Sequence, residues 1–209
     1  MNDHADVSTL YQERHEEFLL NMAKNLEDYV TSLISERRVE RIDRISARAK
    51  DPARFDAKAT KKTKEGEYKY QDPLEQIQDQ IGLRIVVFYL SDVDVIEEEL
   101  VNRFFQRIER KEITPDDTWQ FSYFGRHFIL QLPNEAFTEG SDRDALPFCF
   151  ELQVKTLFQH AWSEAGHDLA YKPMQGELSD EETRKLAYTA AQAWGADQVF
   201  HELFRNLQE

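Results

Sequence analysis

The feature that most limits the fold of this chain is Ile85–Leu90, six apolar residues without a break. The run is far too short to span a bilayer, which takes about 20 residues. Its β-branched members favour a strand. The surrounding sequence DPLEQIQDQIGLRIVVFYLSD therefore reads as a short helix followed by a strand over Gly82–Tyr89. Upstream, Leu10, Tyr11, Phe18, Met22, Leu26, Tyr29 and Leu33 recur at three- and four-residue steps and predict an amphipathic helix over Ser8–Arg37. Ile45–Lys50 alternates as a short strand, and Pro52 opens a helix at its first position. Asp94–Ile108 has a helical stripe of Ile96, Leu100, Phe104 and Ile108, and a turn region follows around Ile113–Asp117. Thr118–Leu132 holds one or two strands, with Phe128, Leu130 and Leu132 on one face.

In the segment FELQVKTLFQHAWSEAGHDLAYK, alternation gives way to helical spacing near Thr156. A strand over Phe148–Lys155 thus leads into a helix over Thr156–Tyr171. Ser179 and Glu182 form a capping box for a last helix, Asp180–Leu207. The order α-β-α-α-β-α-β-β-β-α-α predicts an α+β fold: a small mixed sheet flanked by helices, with helical extensions at both ends. The 209 residues suit one domain, with an N-terminal helix at 8–37, a core at 40–175 and a C-terminal helix at 180–207.

Charge is unevenly placed. The net charge is −14, yet Glu36–Lys69 carries twelve Lys/Arg against seven Asp/Glu, leaving −19 elsewhere. An acidic body with one basic stretch argues against broad nucleic-acid coating and permits a local polyanion site. A single Cys excludes an internal disulfide and suits the cytoplasm. The first twenty residues carry acids and no apolar stretch of signal type, so secretion is not expected.

Several residues have the types that chemistry needs. On the strand 148–155, Phe148, Phe150, Leu152 and Val154 face inward, while Cys149, Glu151, Gln153 and Lys155 share the other face. A water-facing strand shows the same pattern. Asp79, just before the strand holding Arg84, is either a metal ligand or a cap. Asp79 and Glu151 together suit Mg²⁺, which takes one or two carboxylates and completes its shell with phosphates and waters. His160, Glu164 and His167 share a helix face and invite a zinc reading. They lack the adjacent His-Glu of the common helical zinc motif, and a polar face or phosphate contacts explain the spacing better. Cys149 has no neighbouring His in a nucleophile motif, and no Gly-rich phosphate fingerprint is present.

Five blocks in order resemble the synthetase domain of the RelA/SpoT family. ARAK, from Ala47, with Lys58 eight residues beyond Lys50, resembles its R-x-K…K segment. DQIGLR (79–84) resembles D-x-x-G-x-R, and SYFGRH (122–127) resembles G-Y-x-S-x-H. ELQVKT (151–156) resembles E-x-Q-x-R-T, and HDLAYK (167–172) resembles the H-x-x-x-Y-K that follows. The match covers roughly residues 40–175.

The resemblance implies a nucleotidyltransferase-like fold and a stand-alone synthetase without the hydrolase or regulatory domains of the long members. The implied activity moves pyrophosphate from ATP to the 3′-hydroxyl of GDP or GTP, giving ppGpp or pppGpp and AMP. Asp79 and Glu151 would be catalytic and bind Mg²⁺. Arg48 and Arg84 would sandwich adenine, and Lys50 and Lys58 would meet ATP phosphates. On the acceptor side, Tyr123 would stack on guanine, and His127, Gln153, Lys155, His167 and Lys172 would line the remaining surface.

The chain departs from the family pattern at Ser122 for Gly, Arg54 for Ser, Lys155 for Arg and Gly166 for Glu. The stand-alone synthetases that the chain resembles often form tetramers, so a homo-oligomer is expected, and no membrane association is expected. Other readings within the fold are a toxic relative, paired with an antitoxin, that modifies adenosine nucleotides or the tRNA 3′ end, and a non-catalytic nucleotide-binding scaffold.

Overall fold

The structure, a computed structural model, describes residues 4–115, 117, 120–122, 124–137, 142–143, 145–170 and 178–208; the side chains of His4, Ala5, His167 and Ala170 lie outside that description. Helix α1, residues 4–36, opens as His4–Arg14, passes through a π-helical turn at His15–Leu19 and continues as Leu20–Glu36. The π turn adds one residue to the helical period. Burial therefore steps from Val7 and Tyr11 to Leu19, Met22, Leu26, Val30 and Leu33, while Leu10, expected in the stripe, faces water.

Strand β1 is Ile42–Ala49, and helix α2 is Pro52–Ala59. Asp51 caps α2 by accepting from the Arg54 N–H (3.1 Å), and Pro52 occupies the first turn. A single turn, α3 (Pro73–Gln76), leads into β2 (Ile81–Val87). Helix α4, residues 90–104, contains a second π turn at Glu97–Val101. Strands β3 (Arg107–Ile113), β4 (Gly125–Gln131) and β5 (Cys149–Thr156) follow. Helices α5 (Leu157–Ala170) and α6 (Asp180–Asn206) end the chain, and the predicted capping box at Ser179 and Glu182 opens α6.

The strands form one mixed sheet in the order β1-β2-β5-β4-β3. Only β2 and β5 run parallel. Their crossover is built from α4 and the β3–β4 hairpin. Strand period divides the sheet into two faces. Leu83, Ile85, Phe128, Leu130, Phe150, Leu152 and Val154 fill the core face with α1 and α4. Burying each contributes about 1.5–3 kcal/mol. The opposite face carries Arg48, Arg84, His127, Glu151, Gln153 and Lys155, and α5 packs against part of it.

The predicted α+β class and the number of strands agree with this fold; three local readings do not. The helix read as Asp94–Ile108 starts at Leu90 and ends at Phe104, and Ile108 lies in β3. Within Thr118–Leu132 the described residues hold one strand, Gly125–Gln131, and the remaining strand is Arg107–Ile113. Its sequence RIERKEI lacks an apolar face because β3 is an edge strand held by charge. Arg107 and Arg110 both reach Glu97 of α4, at 3.0 and 2.9 Å. Phe148, expected inward, is exposed and precedes β5.

Candidate active site

The antiparallel β1–β2 register sets Arg48 opposite Gly82, and the parallel β2–β5 register sets Gly82 beside Glu151. One residue row along, Arg84, Gln153 and His127 lie side by side. Gly82 thus sits between Arg48 and Glu151 with no side chain. A Cβ added there would meet nothing within 4 Å, so the glycine leaves the floor of a cleft open. The cleft has two lobes, of about 440 and 550 Å³, that share Arg48, Lys50, Arg54, Asp79, Arg84, Glu151 and Gln153. The larger is lined, among the described residues, by seven lysines and arginines against three carboxylates.

Asp79 stands two residues before β2. The Lys50 N–H donates to the Gln80 carbonyl (2.8 Å), which fastens the end of β1 to the start of β2. The buried Gln80 amide donates to the carbonyls of Leu74 (2.6 Å) and Ile77 (3.0 Å), fixing the turn that carries Asp79. Lys50 Nζ is 2.9 Å and Lys58 Nζ 3.0 Å from the two Asp79 oxygens. Burial opposes the charged carboxylate, but these two ammonium groups outweigh it and hold the Asp79 pKa below the ordinary value. The N-terminal helix braces this corner. Tyr11 stacks on Phe55 of α2 with centroids 3.6 Å apart, and its hydroxyl donates to the Lys50 carbonyl (2.8 Å).

Glu151 lies across the floor. Its oxygens meet His127 Nδ1 (3.1 Å) and accept from Gln153 Nε2 (2.7 Å). Burial pushes its pKa up, and the His127 and Gln153 contacts more than reverse this, so Glu151 is ionised at neutral pH. Asp79 and Glu151 line both lobes together. Two carboxylates facing one cleft fit Mg²⁺, which needs no more from a protein when phosphates supply further oxygens.

Lys155 is 4% exposed and donates to Ser163 Oγ (3.1 Å). Burial, with the Arg84 guanidinium nearby, pushes its pKa down to about 8. Arg84 Nη1 donates to Glu164 (2.7 Å) and lies 3.4 Å from His160 Nδ1. Glu164 and His160 thus face a guanidinium, an arrangement for an ion pair and not for a cation site. Among the described residues no group of three or more His, Cys, Asp or Glu is placed to hold a metal. Burial, then Asp79, raises the Cys149 thiol to about 11, which makes it a poor nucleophile.

Of the residues expected in the site, the structure brings together Arg48, Lys50, Lys58, Asp79, Arg84, His127, Glu151, Gln153 and Lys155. Tyr123, Lys172 and the His167 side chain lie outside the described residues. Sequence reading gave no role to Gly82, Gln80, Tyr11 or Ser163. The Gly inside DQIGLR was the one available signal, since a glycine within a strand marks a close approach or an open space. No helix of the described residues is long and apolar enough to cross a membrane.

Known proteins share this fold. GTP pyrophosphokinase YjbM of Bacillus subtilis is 24% identical over 137 residues, 65% of this chain and 62% of that protein's length. The small alarmone synthetase 1 from Bacillus subtilis has been solved bound to its product pppGpp (TM-score 0.69, 20% identity, 98% of each chain covered). It has also been solved bound to AMPCPP (TM-score 0.65, 20% identity, 95% and 94% covered). A GTP pyrophosphokinase family protein from Streptococcus pneumoniae matches with TM-score 0.71 at 22% identity over 89% of each chain. The family described as the region found in RelA / SpoT proteins matches residues 47–176. That match spans more than half of the 209 residues, and the chain belongs to the RelA/SpoT family.

Proposed function

We propose that the protein is a pyrophosphotransferase that moves the β- and γ-phosphates of ATP to the 3′-hydroxyl of GDP or GTP, yielding ppGpp or pppGpp and AMP. The observation that carries this reading is the two-lobed cleft, basic along its walls, with Asp79 and Glu151 where the lobes meet. Two lobes accommodate two nucleotides, and the lysines and arginines offset their combined charge. A relative named as a GTP pyrophosphokinase and a synthetase solved with pppGpp and with AMPCPP support the same assignment.

In this reading Arg48 and Arg84 hold adenine, with Arg84 exchanging its partner Glu164 for the base. Lys50 and Lys58 turn from Asp79 to the ATP phosphates. Mg²⁺, held by Asp79 and Glu151, would supply charge neutralisation at the reacting phosphates. The acceptor 3′-oxygen bonds to the β-phosphorus as the bond to the α–β bridging oxygen breaks, and AMP leaves with that oxygen. Glu151, oriented by His127 and Gln153, takes the hydroxyl proton. Most of the acceleration comes from positioning and from fixed charge.

The reading is tested by incubating purified protein with ATP, Mg²⁺ and either GDP or GTP and separating the nucleotides. Matched formation of AMP and of ppGpp or pppGpp is expected. A product formed only with adenosine nucleotides or tRNA would reassign the acceptor, and no product with any acceptor would leave a binding protein.

A further inference from the structure

A second cavity, of about 270 Å³, lies between α6, the start of α4, α5 and the first residues of β4. Apart from Trp162, which also borders the larger lobe of the cleft, none of its described lining residues lines the cleft. Three buried polar atoms on its lining residues, Asp197 Oδ1, His201 Nδ1 and Ser91 Oγ, have no hydrogen-bond partner among the described residues. Such atoms are costly to leave unsatisfied, and three around one space are an unusual concentration. Asp197 is only 3% exposed. Its other oxygen accepts from Thr156 Oγ (2.7 Å), which fixes the carboxylate to the end of β5. Asp197 and His201 stand one turn apart on α6 and share a face.

The remaining wall is aromatic. Trp162, Trp194 and Phe124 line it. The Trp162 indole N–H donates to Thr189 Oγ (3.0 Å), so that ring brings carbon surface to the cavity. The charge is acidic. Asp94, Glu112 and Asp197 line it, and Arg126, the only lysine or arginine among the described lining residues, is held by Asp94 (2.6 Å), Glu97 (3.0 Å) and Glu112 (3.2 Å). A phosphate would therefore meet carboxylates and an already paired guanidinium. A flat ring bearing N–H donors would find an acceptor in Asp197, polar partners in His201 and Ser91, and apolar walls for its faces.

We infer that this cavity is a second binding site, distinct from the catalytic cleft, for a phosphate-free planar heterocycle carrying an amino group, of the nucleobase or nucleoside class. Burial holds the Asp197 pKa up at about 6, so the carboxylate is mostly charged above neutrality and accepts from such an amino group. The inference does not depend on the transferase reading.

The test titrates the full-length protein with guanosine and with adenosine while the cleft is kept filled by saturating AMPCPP and GDP, reading tryptophan emission, because Trp162 and Trp194 border the cavity. A saturable change is expected for at least one nucleoside. Asp197→Asn preserves an oxygen for Thr156 but replaces the charged acceptor, and weakens binding about tenfold or more. Ala193→Leu, which fills the cavity from α6, abolishes binding and covers the case in which Asp197→Asn does not fold. Arg84→Ala and Glu151→Gln in the cleft leave binding unchanged. The inference is overturned by the absence of saturable binding, which would mean a water-filled cavity only. It is equally overturned if binding survives Ala193→Leu, or if it is lost in Arg84→Ala or Glu151→Gln, which would place the nucleoside in the cleft.

Discussion

Replacing Lys155 by methionine separates stability from function. The side chain is buried, and burial, followed by the Arg84 guanidinium, lowers its pKa from 10.5 to about 8. At about 1.4 kcal/mol per tenfold, keeping this lysine charged at pH 7 costs the fold about 3 kcal/mol. The unfolded chain binds more protons between pH 8 and 10.5, so wild-type stability rises with pH through that window and carries the full cost below it. Lys155→Met removes the cost. Losing the bond to Ser163 takes back about 1–2 kcal/mol. The variant should then be more stable by about 1–2 kcal/mol at pH 7, a melting temperature higher by roughly 3–6 °C for a chain of this size.

If Lys155 meets acceptor phosphates, the same change raises the acceptor KM by about 10- to 100-fold. In the wild type that KM should be flat below pH 8 and rise about tenfold per pH unit above it, as Lys155 loses its proton. Lys155→Arg should stay flat, because a guanidinium does not titrate there. Thermal melts and acceptor kinetics from pH 6.5 to 9.5 check both halves. A Lys155→Met protein that melts lower, with acceptor KM unmoved, would make Lys155 a structural residue and refute the reasoning.

Asp79→Asn and Glu151→Gln should each reduce transfer to near background while the melting temperature stays within a few degrees; wild-type turnover at ordinary Mg²⁺ would contradict the placement of the metal. Arg48→Ala and Arg84→Ala should weaken ATP more than the acceptor, whereas Tyr123→Ala should raise acceptor KM about five- to a hundredfold with ATP little changed, since base–aromatic stacking is worth about 1–3 kcal/mol. Equal losses for both nucleotides in separate titrations would count against two base sites. Tyr188, Val199, Phe200 and Leu203 leave an exposed apolar surface on α6, so light scattering should give a multiple of 24.7 kDa, and a monomer at micromolar concentration would contradict assembly.

The residues that sequence placed well are those where pattern and burial agree. Alternation in β5 separated Phe150, Leu152 and Val154 from Glu151, Gln153 and Lys155, and the structure puts the two sets on opposite faces. Alternation alone could not tell a wet face from a cleft; that required β2 and β4 on either side and α5 above, which bury Lys155. Strand β3 was illegible because its stability comes from pairing with β4 and from Glu97, neither of which leaves an apolar period in RIERKEI. The bracing of Lys50 by Tyr11, 39 residues away, was invisible for a related reason. A tyrosine in a helical stripe looks the same whether its hydroxyl meets water or a backbone carbonyl. Their motifs singled out Asp79 and Glu151, which the structure places along one cleft. Gln80, which fixes the Asp79 turn, looked like one more polar residue in a loop.

The most direct test of the central claim follows the phosphorus atoms. ATP labelled separately at the α-, β- and γ-positions is incubated with the protein, Mg²⁺ and GDP or GTP. Attack at the β-phosphorus predicts that β- and γ-labels move together to the 3′-position of the acceptor and that only the α-label remains in AMP. Transfer of the γ-label alone, with ADP as the other product, would contradict the account.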